Sequence, residues 1–190
     1  KLPKDTPPMN ALRTAVSVLG CFDTTGEDDS QHSQRRKALR LIAQVPVATA
    51  YFHRNRQGLP LVAPDPSLGE AANFLWMING TRPTREMEST MDMCYVLHAD
   101  HGMNASTFSA RVTIATLSDM YSAVTTAIGT LKGPLHGGAN EGVIKMLKEI
   151  GSLDQVDAYV ADCLAQKRKI MGIGHRVYKV LDPRAPHLKR

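Results

Sequence analysis

Apolar residues in this chain recur every three to four positions, and runs that alternate apolar with polar residues are scarce. That period lines up one stripe of a helix, whereas a strand needs a period of two to present a consistent face. The pattern therefore predicts an all-α fold in which many helices pack around a core, and 190 residues suffice to bury one. Met9 to Leu19 reads as a helix behind Pro7-Pro8, followed by Gly20 and an acidic loop from Asp23 to Ser30. Ser33 to about Arg54 is the longest helix, with a kink expected at Pro46, where a backbone N–H is missing. Three prolines between Gly58 and Pro66 mark a loop. Ser67 is expected to cap a helix reaching Ile78, and Thr84 to His98 forms the next. Ala105–Leu117 and Tyr121–Leu131 carry small and β-branched residues suited to close helix contacts, ahead of a break at Gly133-Pro134. Gly138–Glu149 and Leu153 to about Lys167 are further helices, and Met171 to Asp182 is a loop or short extended segment. No repeat or low-complexity tract interrupts the order.

Three segments place chemistry at helix breaks. The first is LHADHGMNASTF, 97–108, with His98, Asp100, His101 and Asn104. It reads either as a cleft lining or as a polar turn in which Asn104 caps the next helix. The second is GPLHGGANEGV, 133–143, where His136 precedes a helix N-terminus. The partial positive charge there favours the neutral imidazole, which can donate a hydrogen bond to a carbonyl becoming an enol. Gly137 and Gly138 leave room for a backbone to approach a ligand, or form a plain hinge. The third is IMGIGHRVYKVLDPR, 170–184, in which Arg176, Lys179 and Arg184 surround His175. Arginine forks onto carboxylates and lysine meets phosphates as a point charge, although a basic run is also commonly a solvated loop. Residues alone thus point to a helical protein with a histidine-lined anion site.

Composition narrows the partners. A net charge of +5 and a pI near 9.2 suit carboxylates and phosphorylated cofactors. The charge is scattered and only 5% of residues are aromatic, which argues against a nucleic-acid surface. Cys21, Cys94 and Cys163 are odd in number and lie in apolar patterns, reading as buried reduced thiols. His98-x-x-His101 lacks a third ligand at a familiar spacing, so no metal is assigned. His32, His53 and His187 read as surface residues. Without a signal peptide pattern or a long apolar run, a soluble cytoplasmic protein is expected. The start lacks Met and the end lacks a cap, so both ends read as cut.

The three segments, in this order and spacing, resemble the citrate synthase family in its bacterial and archaeal branch, which includes 2-methylcitrate synthases. The resemblance covers nearly the whole chain and implies condensation of acetyl-CoA with oxaloacetate, then hydrolysis of the citryl thioester. It implies that His136 bonds the thioester carbonyl and that His175 binds the ketone oxygen of oxaloacetate and protonates the alkoxide. His101 and Arg184, with help from Asn104, would hold oxaloacetate. Lys169, Ile170, Met171, Gly172, Ile173 and Gly174 would lie against the adenine of CoA, and Lys179 would meet its phosphates. No separate cofactor is implied, since the thioester is a substrate. The resemblance divides the chain into part of a large helical domain, 1–134, and the N-terminal part of a small CoA-side domain, 135–190. It implies a homodimer, with the 105–131 helices at its interface.

The family's general base is an aspartate C-terminal to the Asp-Pro-Arg turn, and no such residue follows within this chain, so little activity is expected from these 190 residues alone. A propionyl-CoA enzyme making 2-methylcitrate is the near alternative, because one methylene is worth only about 1–3 kcal/mol of discrimination. A non-enzymatic CoA-binding helical module is the alternative of another class.

Overall fold

Local chemistry sets most helix ends in the computed structural model, which describes residues 2–99, 102–174 and 178–189. Helix α1, Pro8–Cys21, starts on proline, whose absent N–H is no loss in a first turn. Ser30 opens α2, Gln31–Gln57, its side chain accepting the Ser33 amide, and Gly58 closes it. Pro46, where a kink is expected, lies inside α2 and does not end it. Beside it Thr49 Oγ1 donates to the Val45 carbonyl at 2.8 Å.

Helix α3, Glu70–Asn79, differs from expectation at its start. Ser67 does not cap it. Its amide and hydroxyl both donate to Asp65 Oδ1, at 2.8 and 2.6 Å, so the nearer carboxylate forms a turn before the helix begins. Asn73 then clamps Asp65 through two backbone bonds, and Trp76 Nε1 donates to Ala63 O at 3.0 Å. This ties the proline-rich loop onto α3. Helix α4 is Arg85–Ala99, α5 is Ala105–Ile114 and α6 is Met120–Leu131. Helix α5 ends three residues earlier than its apolar pattern suggests, at a turn where Leu117 is 89% exposed and left-handed. Helices α7, Ala139–Ile150, α8, Val156–Ala165, and the short α9, Ala185–Leu188, follow. No strand occurs among the described residues.

The chain forms two units, 1–130 and 131–190. In the first, α1 packs on α2, α2 on α3 and α3 on α4. Its core joins Val16, Leu41, Tyr121 and Ile128, flanked by Leu12, Val45 and Val124. An open apolar hollow of about 840 Å³ lies between α2, α3, α4 and α6, lined in part by Leu41, Phe74, Met91, Tyr95 and Val124. Two cations are buried in this unit. Lys37 is fully enclosed, and its Nζ donates to Gly26 O and Asp28 O at 2.7 and 2.9 Å. Arg54 donates to Pro60 O and to Ile78 O, gathering the ends of α2 and α3. Both cations answer carbonyls that folding would otherwise leave without a donor.

The cysteine expectation needs correction. Cys163 is buried, but Cys94 is half-buried and Cys21 exposed, because α1 turns that side toward solvent. All three are free thiols. Among the described residues no helix is long and apolar enough to cross a membrane.

Candidate active site

In the second unit two of the predicted segments, the one bearing His136 and the 169–174 loop, meet at the N-terminal half of α7. Residues 131–138 fold into a tight turn. The Gly138 amide donates to Leu131 O and Gly133 O at 3.0 and 3.1 Å, and the His136 amide donates to Gly133 O at 2.9 Å. The glycine pair serves this turn itself. A Cβ on Gly137 would lie 2.7 Å from Leu131 O, and one on Gly138 would lie 2.5 Å from Lys132 O. The close approach is backbone to backbone. The turn presents His136, half-buried, just ahead of α7, and His136 O accepts the Ala139 amide at 3.1 Å. The first orphan amides of the helix are thereby met by bonds reaching three residues back.

The 169–174 loop returns to the same helix. Beyond α8, Lys167 is left-handed and the Arg168 amide donates to Cys163 O at 2.8 Å, which reverses the chain. Lys169 is exposed, while Ile170 and Met171 are half-buried. Met171 lies against Gly142 of α7, and Gly172 lies beside Val143. Gly172 and Gly174 have φ of +84° and +87°, a conformation that L side chains seldom adopt. Between them Ile173 is 70% exposed. His136 and the 170–174 loop thus share one end of one helix.

Arg184 stands at the N-cap of α9, and Asp182 aims it. Asp182 Oδ1 accepts the Arg184 amide at 2.9 Å and Nε at 3.1 Å, while Oδ2 accepts Nη2 at 2.8 Å. This fork engages one edge of a guanidinium that carries five N–H donors in all. It keeps the guanidinium charged, its pKa raised chiefly by the bonds to Asp182. Lys179 is exposed in the preceding loop.

In the first unit Asn104 caps α5. Its Oδ1 accepts the Thr107 amide at 2.9 Å and the Ser106 hydroxyl at 2.8 Å, so the capping role read from sequence is realised. His98 is exposed, with Nδ1 2.7 Å from Cys94 O. His101 and His175, together with Asp100 and Arg176, lie outside the described residues. Among the described residues no group of three His, Cys, Asp or Glu could hold a metal ion.

Sequence reading passed over one support of this site, Gly142, whereas the Asp182-Pro183 turn was legible as the feature that aims Arg184. Its local signal is a glycine inside a helical run. Sequence reading also passed over a polar knot in the first unit. Asp23, with its side chain 1% exposed, accepts bonds from the Thr25 amide and hydroxyl, from Tyr121 and from Arg40.

Residues 1–190 match the citrate synthase C-terminal domain family. A citrate synthase of Deinococcus radiodurans is 53% identical over 188 residues, covering 99% of this chain and 50% of that protein. A 2-methylcitrate synthase of Mycobacterium tuberculosis is 48% identical over 190 residues, covering 100% of this chain and 48% of its own length. The ternary complex of carboxymethyl coenzyme A and oxaloacetate with the citrate synthase of Thermoplasma acidophilum has a TM-score of 0.89 at 34% identity. It covers 98% of this chain and 49% of that one. The chain spans about half the length of the curated relatives it matches. An all-helical fold shared at that TM-score, and identity near one half along the whole sequence, place this chain in the citrate synthase family.

Proposed function

We propose that this chain supplies part of the active site of an acyltransferase that condenses acetyl-CoA with oxaloacetate to give citrate and CoA. The observation that carries the reading is the convergence of His136 and the 169–174 loop on one end of α7. On this reading Lys169, Ile170, Met171, Gly172, Ile173 and Gly174 bind CoA, and Lys179 meets its phosphates. His136 donates a hydrogen bond to the thioester oxygen as negative charge develops on it. Arg184 clamps a carboxylate of oxaloacetate, which must share the guanidinium with Asp182 or displace it. His175 polarises the ketone and protonates the alkoxide, with His101 and Asn104 completing the oxaloacetate half-site. Residues 1–134 would belong to a large domain and 135–190 to a smaller CoA-side domain, whose closure would exclude water from the reaction.

Removing a proton from the α-carbon of a thioester needs a placed base, and none of these residues is assigned that role. The 190-residue polypeptide is therefore expected to bind ligands but turn over little. A second reading, propionyl-CoA as donor and 2-methylcitrate as product, is supported by the 48% identity to the Mycobacterium tuberculosis protein. A homodimer is proposed from the exposed apolar residues Phe108 and Val112 on α5 and Leu117 just past it. The alternative of a CoA-binding module without catalysis is distinguished by oxaloacetate binding, which such a module does not need.

The test is calorimetric titration with oxaloacetate and then CoA, on the wild type, His101→Ala and Arg184→Ala. Oxaloacetate binding that both substitutions abolish supports the reading. A wild-type chain that binds neither ligand refutes it for this polypeptide.

A further inference from the structure

Gly142 stands inside α7, where a glycine loses backbone entropy and packs nothing of its own. Its surroundings give the reason for it. A Cβ at this position would lie 2.7 Å from Met171 Cε, 3.5 Å from Cγ and 3.6 Å from Sδ. One residue further on, Val143 Cγ2 lies 3.4 Å from the Cβ position of Gly172. The contacts run in register, 142 with 171 and 143 with 172. The helix thus offers a notch that receives the methionine and a ridge that abuts the glycine beside it.

We propose that Gly142 is a positioning residue: it seats Met171 and so fixes the 169–174 loop on the helix whose N-terminal end carries His136. The CoA part of this inference rests on the function proposed above. A loop set at the wrong height would hold the thioester away from the imidazole, even with every binding residue intact. The left-handed Gly172 and Gly174 allow the loop to turn, but they do not anchor it. The anchor is the Met171 side chain in the space at Gly142.

The geometry makes the effect depend on size. An alanine methyl meets chiefly the terminal methyl of Met171, which swings aside about its flexible end. A valine adds two carbons in the space of Sδ and Cγ and lifts the side chain. Met171→Ala empties the same space and should accommodate the valine.

The experiment compares CoA affinity, by calorimetry, with amide hydrogen exchange in the ligand-free protein. The chains are wild type, Gly142→Ala, Gly142→Val, Met171→Ala and Gly142→Val/Met171→Ala. Gly142→Ala should bind CoA within about threefold of wild type, and Gly142→Val at least about tenfold more weakly. Gly142→Val should also exchange faster at 170–174 while residues 146–150 keep their protection. The double variant should fall within about threefold of Met171→Ala, because the valine has nothing left to displace. Wild-type affinity and unchanged loop exchange in Gly142→Val would overturn the proposal. So would a defect that Met171→Ala does not change, or loss of protection across 146–150, which would mean that valine unfolds the helix. A wild-type chain that binds no CoA defeats the functional reading and the CoA role together. Loop exchange then separately decides whether Gly142 sets the loop.

Discussion

Asp23→Ala removes the acceptor on which three segments of the first unit converge. The Thr25 amide and hydroxyl donate to Oδ1 at 2.9 and 2.7 Å, Arg40 Nη1 at 3.0 Å, and Tyr121 OH donates to Oδ2 at 2.7 Å. These partners differ in what they lose. Tyr121 is 4% exposed, so its hydroxyl has little water to turn to, which costs about 1–3 kcal/mol. The Arg40 side chain is 40% exposed and rehydrates, so the ion pair adds less than about 1 kcal/mol. Thr25 is exposed and adds little more. The expected loss is about 1–4 kcal/mol, or a fall of roughly 0.5–2 M in the urea midpoint. Trp76, the one tryptophan, lies in the first unit, so its fluorescence follows this transition.

The pH dependence gives a second arm. The bonds from Thr25, then that from Tyr121, hold Asp23 well below the ordinary carboxylate value against the opposing effect of burial, with Arg40 adding to them. A group whose folded pKa is depressed contributes stability above its unfolded value, and loses it as pH falls toward the folded one. The gap between wild type and Asp23→Ala should therefore hold from pH 7 to about 5 and narrow below about 4. A gap under about 0.5 kcal/mol at pH 7, or one that does not narrow in acid, refutes the assignment of the stability to this carboxylate.

Gly138→Ala sets a Cβ 2.5 Å from one backbone oxygen and 2.9 Å from another, so the turn bearing His136 must open. Thermal melting of the second unit should fall by the equivalent of about 2 kcal/mol or more, and an unchanged melt would mean that the turn is not so tight. Arg54→Met leaves the Pro60 and Ile78 carbonyls without their buried donor and should destabilise the first unit by about 2–4 kcal/mol, read by urea denaturation. Burial, with Glu70 nearby, pushes the Tyr95 phenol up to about 12. Its raised value makes the neutral form a source of stability that is complete below pH about 10 and lost as pH rises through 12. Absorbance titration should show one phenol ionising near 12 that Tyr95→Phe removes, and ionisation of that phenol near 10 would contradict its burial.

What the sequence by itself determined were the features written in neighbouring residues. Pro8 at a first turn, Asn104 at an N-cap, and Gly58 and Gly80 beyond helix ends act through bonds to residues a few positions away. The helical period and the His136 segment were legible for the same reason. Ser67 was misjudged because Asp65, two residues off, offers its hydroxyl a better partner than the helix does. The sequence left Gly137 and Gly138 open between two readings, because the carbonyls that crowd them come together only once the turn around them is folded.

Tertiary structure alone decided the rest. Lys37 and Arg54 are buried because folding brings carbonyls to them, in Arg54's case one 24 residues away. Tyr121 reaches an aspartate 98 positions earlier. Met171 finds its seat in a helix that begins 32 residues before it, and no local pattern encodes that meeting. Helix periodicity specifies which face turns inward, whereas the partner of that face depends on the path of the whole chain.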